Sequence, residues 1–106
     1  MDHILEAIDK IQRYTDGMTL DEFVANELVV DAVIRNFLVI GEATRNIPAE
    51  IQKAYPAIPW AQMQGMRNIL VHAYEMVKVD IIWNTIQTDL PPLITPLRNI
   101  LRDVAE

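Results

Sequence analysis

The residue types with the clearest chemical potential lie in one segment, Gly65 to Tyr74. Within it an arginine, Arg67, is followed by Asn68 and then by a histidine, His72. A guanidinium supplies planar, permanently charged donors that suit a phosphate. A histidine side chain has an ordinary pKa of about 6.5 and can exchange a proton at neutral pH. Together the two groups could hold a phosphodiester and move a proton without a metal ion.

Helical geometry separates these groups from the core. On a helix, Ile69, Leu70, Ala73 and Val77 form one narrow apolar stripe, and the polar side chains of the segment lie on the other side. Arg67 and His72 diverge by about 140° around the axis. A two-fold dimer in which this helix meets its own copy is the simplest way to bring such groups together, so the sequence predicts a homodimer with a shared cleft.

RNA suits this pair of groups as a substrate, because its 2′-hydroxyl is an internal nucleophile. The protein then needs only to transfer a proton, which contributes roughly 10²–10⁴-fold, and to stabilise charge on the phosphate oxygens. Arg35, Glu42, Arg45 and Lys78 are candidate residues lining the cleft. For Arg35, Glu42 and Arg45 the alternative is simple ion pairing on a helix surface.

Composition limits the remaining classes of function. The 106 residues carry 9 Lys and Arg against 15 Asp and Glu, a formal charge of −6, which disfavours generic binding of a phosphate backbone. The stretch from Arg45 to Lys78 is the exception, with four basic and two acidic residues. The absence of cysteine excludes disulfides, thiolate zinc sites and cysteine nucleophiles, and two histidines are too few for a His-rich metal site.

The elements that must position the segment are all predicted to be helices. Apolar spacing and end signals place helices from Ile4 to about Asp16, from a capping box at Thr19 and Glu22, and over 28–46, 49–54, 60–76 and 79–90. Thr95 before Pro96 is predicted to cap a last helix reaching Ala105. The prediction is one domain, 1–106, folded as an all-α, up-and-down bundle of five or six helices. No basic leader or membrane-length apolar run is visible, so the expected location is the cytoplasm.

Several stretches of the chain resemble a known family. Arg67-Asn68, three residues, then His72-Ala73-Tyr74 matches the R-x4-H-x-Y motif of HEPN-domain proteins, specifically of the HepT-like toxin branch. Further likeness runs in the same order along nearly the whole chain, at Val33–Asn36, Ile40–Ala43, Ile58–Trp60, Gly65–Asn68, Ile81–Trp83 and Asp89–Pro91.

This resemblance implies a helical bundle that dimerises so that two motif helices line a common cleft, acting as a ribonuclease without metal or cofactor on RNA such as tRNA or mRNA. Arg67 and His72 would be catalytic, with Asn68 as a polar orienting neighbour. It also implies a nucleotidyltransferase antitoxin that attaches AMP to Tyr74. The alternative is a non-catalytic dimeric module that binds a nucleotidyltransferase or a nucleotide.

Overall fold

Helices form all of the regular structure in the part of the chain that the computed structural model describes, residues 2–68 and 79–105, with side chains to residue 103. That part contains no strand, which confirms the predicted all-α class. Seven α-helices are found there, against the five or six expected, and four of them are only six residues long. They are α1 (Asp2–Thr15), α2 (Leu20–Ala25), α3 (Glu27–Arg45), α4 (Ala49–Ala54), α5 (Trp60–Gly65), α6 (Val79–Asn84) and α7 (Pro91–Ala105).

Helix α1 owes its place to a stripe of four apolar side chains at spacings of three and four. All of them are buried: Ile4, Ala7, Ile8 and Ile11. The helix ends at Thr15, and Gly17 then takes a positive φ of 75°, a conformation that costs glycine little because it has no Cβ. The predicted stop is therefore confirmed.

Side-chain caps start the next two helices. Thr19 Oγ1 accepts from the Glu22 amide at 3.2 Å, and Glu22 Oε1 accepts from the Thr19 amide at 3.0 Å, so the predicted capping box is present. At the start of α3, Asn26 Oδ1 accepts from the Val29 amide at 3.1 Å. Each cap satisfies backbone donors that a helix leaves unpaired at its first turn.

The core lies between the three longest helices, since α3 packs on α1 and α5, and α7 packs on α1. Phe37, at the centre of α3, is fully buried. The ring centroids of Phe23 and Trp83 lie 5.2 Å apart, which joins α2 to α6. Within the described ranges no helix is long and apolar enough to cross a membrane.

Three helix ends differ from the predictions. Helix α5 ends at Gly65 and Met66 forms a turn, where a single helix over 60–76 was expected. The expected helix over 79–90 is α6 followed by a π-helical segment, Thr85–Asp89. The predicted cap at Thr95 is wrong, because α7 begins at Pro91 and Pro96 lies inside it. The backbone N–H groups of the first turn have no partner within the helix, so a proline there removes no hydrogen bond. Pro91 and Pro92 therefore suit that position.

Candidate functional site

The segment that carries Arg67 is held at its start by Trp60. The buried indole Nε1 donates to the carbonyl oxygens of Gln52 at 3.1 Å and Tyr55 at 3.0 Å, so it ties α4 and the following turn to α5. Helix α5 then runs to Gly65, and after the turn at Met66 the backbone is helical again at Arg67 and Asn68. The position of Arg67 is therefore fixed relative to α4 and α5 by packing and by hydrogen bonds.

Helix α3 crosses this segment in backbone contact. A Cβ added at Gly41 would lie 2.8 Å from both Cβ and the backbone nitrogen of Arg67, and 3.1 Å from the carbonyl oxygen of Gln64. Carbon atoms not bonded to each other meet at about 3.5–4.0 Å, so only glycine allows this approach. The crossing places the backbone nitrogen and Cβ of Arg67 directly against α3.

The next residue of α3, Glu42, forms an ion pair with Arg67. Glu42 Oε1 lies 3.2 Å from Arg67 Nε, and the two side chains are 44% and 42% exposed. Among the described residues, Glu42 thus pairs across elements and not with Arg35 or Arg45 of its own helix. At this exposure the pair contributes little to stability, roughly 0–1 kcal/mol.

Beside the crossing lies an open depression of about 340 Å³. Its lining is mainly polar or formed by glycine, and includes Gly41, Arg45, Gln64, Gly65, Arg67 and Asn68. Two arginines from different elements thus border one space that is large enough for a small ligand or for a unit of a longer one. Such an arrangement suits an anion, and above all a phosphate, which can accept from both guanidinium groups.

Not every predicted cleft residue borders this depression. Arg45, Arg67 and Asn68 do, and Glu42 contacts Arg67. Arg35 instead borders a separate groove of about 310 Å³ between α1 and α3, which His3, Glu6, Lys10 and Tyr14 also line.

Three candidate residues, His72, Tyr74 and Lys78, lie outside the described residues. The apolar stripe predicted for Ile69 to Val77 lies outside them as well. Met66 is buried, Arg67 half-exposed and Asn68 exposed, as expected if the polar side of this segment faces away from the core. Among residues 2–68 and 79–105, no group of three or more His, Cys, Asp or Glu side chains could hold a metal ion.

Sequence reasoning missed two parts of the site, the role of Gly41 and the partner of Glu42. It gave Gly41 no role of its own and offered Glu42 ion pairs within one helix. A lone glycine inside a strong helical pattern does signal close packing of another backbone, but it does not say which one. The tertiary crossing decides both features.

A family model described as "Ribonuclease HepT-like" matches residues 4–100. A protein of Thermococcus cleftensis named probable ribonuclease HepT is 39% identical over 93 residues, which cover 88% of this chain and 84% of that protein. A candidate RNase of Methanocaldococcus jannaschii is 37% identical over 101 residues, 95% of this chain and 84% of its own.

A second protein of M. jannaschii, named a gamma-glutamylcyclotransferase and candidate RNase, is 36% identical over 104 residues. The alignment covers 98% of the present chain but only 47% of that relative, so the chain spans about half of its length. No solved structure gives a significant match to the chain.

Proposed function

Because the chain belongs to the HepT-like ribonuclease family, we propose that it is a metal-independent endoribonuclease in which Arg67 binds the scissile phosphate and His72 transfers the proton. The observation that carries this proposal is the half-exposed guanidinium of Arg67, which shares an open, polar depression with Arg45. Two permanent positive charges from separate elements can bind a phosphate and stabilise the charge that grows on its oxygens during cleavage.

The chemistry needs few groups because RNA supplies its own nucleophile. A base removes the proton of the 2′-hydroxyl, the 2′-oxygen attacks phosphorus, and the bond to the 5′-oxygen breaks as that oxygen gains a proton. The products are a 2′,3′-cyclic phosphate and a free 5′-hydroxyl. His72 can perform either proton transfer at neutral pH, and Arg67 keeps its charge throughout.

The proposal includes a homodimer whose two motif helices line one cleft. Five positions separate Arg67 from His72 along the chain, and on one helix they point to different sides. A two-fold axis next to the depression would let the histidine of one copy approach the arginine of the other. Sedimentation of the purified protein should then give a dimer, and a monomer that cuts RNA at the full rate would contradict the shared cleft.

Cleavage in the presence of EDTA tests the enzyme directly. Purified parent protein should cut single-stranded RNA or tRNA and leave a 2′,3′-cyclic phosphate, whereas His72→Ala should lose at least about a hundredfold in rate, the lower end of what proton transfer contributes. His3→Ala is the matched control, because His3 is the second histidine of the chain and lies exposed on α1. If His72→Ala cuts as fast as His3→Ala, His72 is not catalytic.

The proposal also assigns the chain to a toxin–antitoxin pair, in which a nucleotidyltransferase adds AMP to Tyr74. On a helix, Tyr74 lies two turns from Arg67 along nearly one line, so AMP there would compete with RNA for the guanidinium. Co-production with a neighbouring transferase should add whole AMP units to the intact mass. Tyr74→Phe should abolish the addition and Tyr14→Phe should not; equal addition to both variants would refute this assignment.

A second candidate function is a non-catalytic dimeric module that binds a nucleotidyltransferase or a nucleotide. Two observations favour it: the formal charge of −6, and the Glu42 carboxylate beside Arg67, which opposes a polyanion more than a single nucleotide. Calorimetry with ATP and AMP, run beside the RNA assay, separates the two functions. Nucleotide binding without RNA cleavage would favour the module.

A further inference from the structure

We propose that Glu42 is a positioning residue, which orients the guanidinium of Arg67 so that its outer nitrogens, Nη1 and Nη2, face the phosphate. This inference rests on the proposed function, because it assigns a role within the same site. It starts from the closest approach between the two side chains, 3.2 Å between Glu42 Oε1 and Arg67 Nε.

The atom that makes the contact matters. Nε lies at the neck of the guanidinium, and the two outer nitrogens project beyond it. A phosphate is bound most firmly by two parallel donors of one guanidinium, and the outer pair forms such a fork. A carboxylate beside Nε attracts the guanidinium from that side and leaves the outer fork open to the phosphate.

The contact depends on the crossing of α3 with the Arg67 segment. Gly41 allows the α3 backbone to lie against Cβ and the backbone nitrogen of Arg67, and Glu42 is the next residue. The same crossing therefore fixes both ends of the arginine: its backbone touches Gly41 and its head group meets Glu42. A flexible side chain with several rotatable bonds is thereby held in a narrow range of orientations before RNA arrives.

Stabilisation of the fold does not account for the pair, because both partners are more than 40% exposed. Solvent screens ion pairs of this kind, and double-mutant cycles find small coupling energies for them. Glu42 also adds a negative charge next to a site proposed to bind RNA, which by itself weakens RNA binding. If Glu42 orients Arg67, its removal should slow the chemical step. If Glu42 only repels the negatively charged RNA, its removal should speed the reaction.

Three variants test the inference through kcat and KM on one RNA substrate. Glu42→Ala should lower kcat about fivefold and should change KM less. Fivefold is the rate factor that corresponds to the largest coupling energies measured for exposed ion pairs. Glu42→Gln keeps an oxygen acceptor at the same place and should recover part of the loss. Asp31→Ala removes the same charge from an exposed position on α3 and should leave kcat unchanged.

The result that would overturn the inference is a Glu42→Ala enzyme whose kcat equals or exceeds that of the parent. A kcat lowered equally by Asp31→Ala and Glu42→Ala would also overturn it, because the effect would then belong to net charge. A third result would also overturn the inference: Tm and kcat fall in parallel in all variants, and Glu42→Gln recovers none of the lost kcat. Glu42 would then have a merely structural role.

A measurement without catalysis separates this inference from the proposed function. The Nε–H of Arg67 should give an NMR signal in the parent, and both its chemical shift and its hydrogen-exchange rate should change in Glu42→Ala. A 2′-deoxy oligonucleotide binds without being cut. Its addition should shift the Arg67 signal differently in the parent and in Glu42→Ala. If the parent cuts no RNA but these changes appear, the proposed function fails and the orientation by Glu42 stands. If the Arg67 signal is the same in both proteins, the inference is overturned whatever the activity.

Discussion

Replacement of Gly41 by alanine is expected to push α3 away from Arg67, and so to lower both stability and RNA cleavage. The new Cβ would lie 2.8 Å from Cβ and the backbone nitrogen of Arg67. Since such atoms need about 3.5 Å, the two backbones must part by about 0.7 Å. Overpacking of this kind costs about 1–3 kcal/mol, and the better helix propensity of alanine offsets about 0.5–1 kcal/mol. The net loss is on the order of 1 kcal/mol, or about 4–8 °C in Tm.

Gly65→Ala is the matched control, because the same change is made in a neighbouring helix where there is room. In the part of the chain that the structure describes, no neighbouring atom would lie within 4 Å of a Cβ at Gly65. Alanine there should raise the unfolding free energy by about 0.5–1 kcal/mol, through helix propensity and a less flexible unfolded chain. The two substitutions should therefore shift stability in opposite directions.

Thermal unfolding followed by far-ultraviolet circular dichroism measures both shifts, and RNA cleavage is then compared well below the lower Tm. Gly41→Ala should melt below the parent and cut RNA more slowly, because Arg67 is displaced from Glu42. If Gly41→Ala melts at or above the parent temperature, α3 and the Arg67 segment are not in backbone contact. The geometric basis of the site would then be refuted.

Other predictions follow from the hydrogen bonds and the two grooves. Trp60→Phe removes the donor shared by two backbone carbonyls and should destabilise the protein by about 1–3 kcal/mol in urea titrations. The loss should exceed that of Trp83→Phe, whose half-buried ring packs on α2. A smaller loss for Trp60→Phe would contradict the role of these hydrogen bonds in joining α4 to α5. Arg45→Ala should remove about one phosphate contact. The slope of the logarithm of the RNA-binding constant against the logarithm of the salt concentration should then change by roughly 0.7 for single strands. Arg35→Ala should leave this slope unchanged, because Arg35 borders the separate groove between α1 and α3 and not the depression beside Arg67. Equal slope changes in the two variants would refute the assignment of RNA binding to the depression alone.

The sequence predicts the helices well where local rules decide them. The stripe in α1 and the Thr19–Glu22 box depend on neighbours within four residues, and the structure confirms both. The start of α7 was wrong because Thr95-Pro96 has the form of a cap, while the earlier Pro91 also suits a first turn and local sequence does not rank the two.

The candidate site could be predicted in its residue types but not in its contacts. The R-x4-H spacing singled out Arg67, and the family match confirms the resemblance that this spacing suggested. The contact between Arg67 and Glu42 joins residues that are far apart in sequence, through a crossing that only the packed helices define. Helical periodicity shows which side of α3 is buried, and it carries no information about which element covers that side. The roles of His72 and Tyr74 stay predictions.

The two tryptophans sit in unlike surroundings, so the protein carries two optical reporters of different regions. The Trp60 indole is hydrogen-bonded beside the Arg67 segment, and the Trp83 ring is tilted against Phe23 at the junction of α2 and α6. A tryptophan-to-phenylalanine variant at either position leaves a single emitter, whose fluorescence can be compared with the circular dichroism of the same variant. Coincident transitions would identify one cooperative unit, whereas an earlier change at Trp60 would reveal that the side of the protein that carries Arg67 unfolds first.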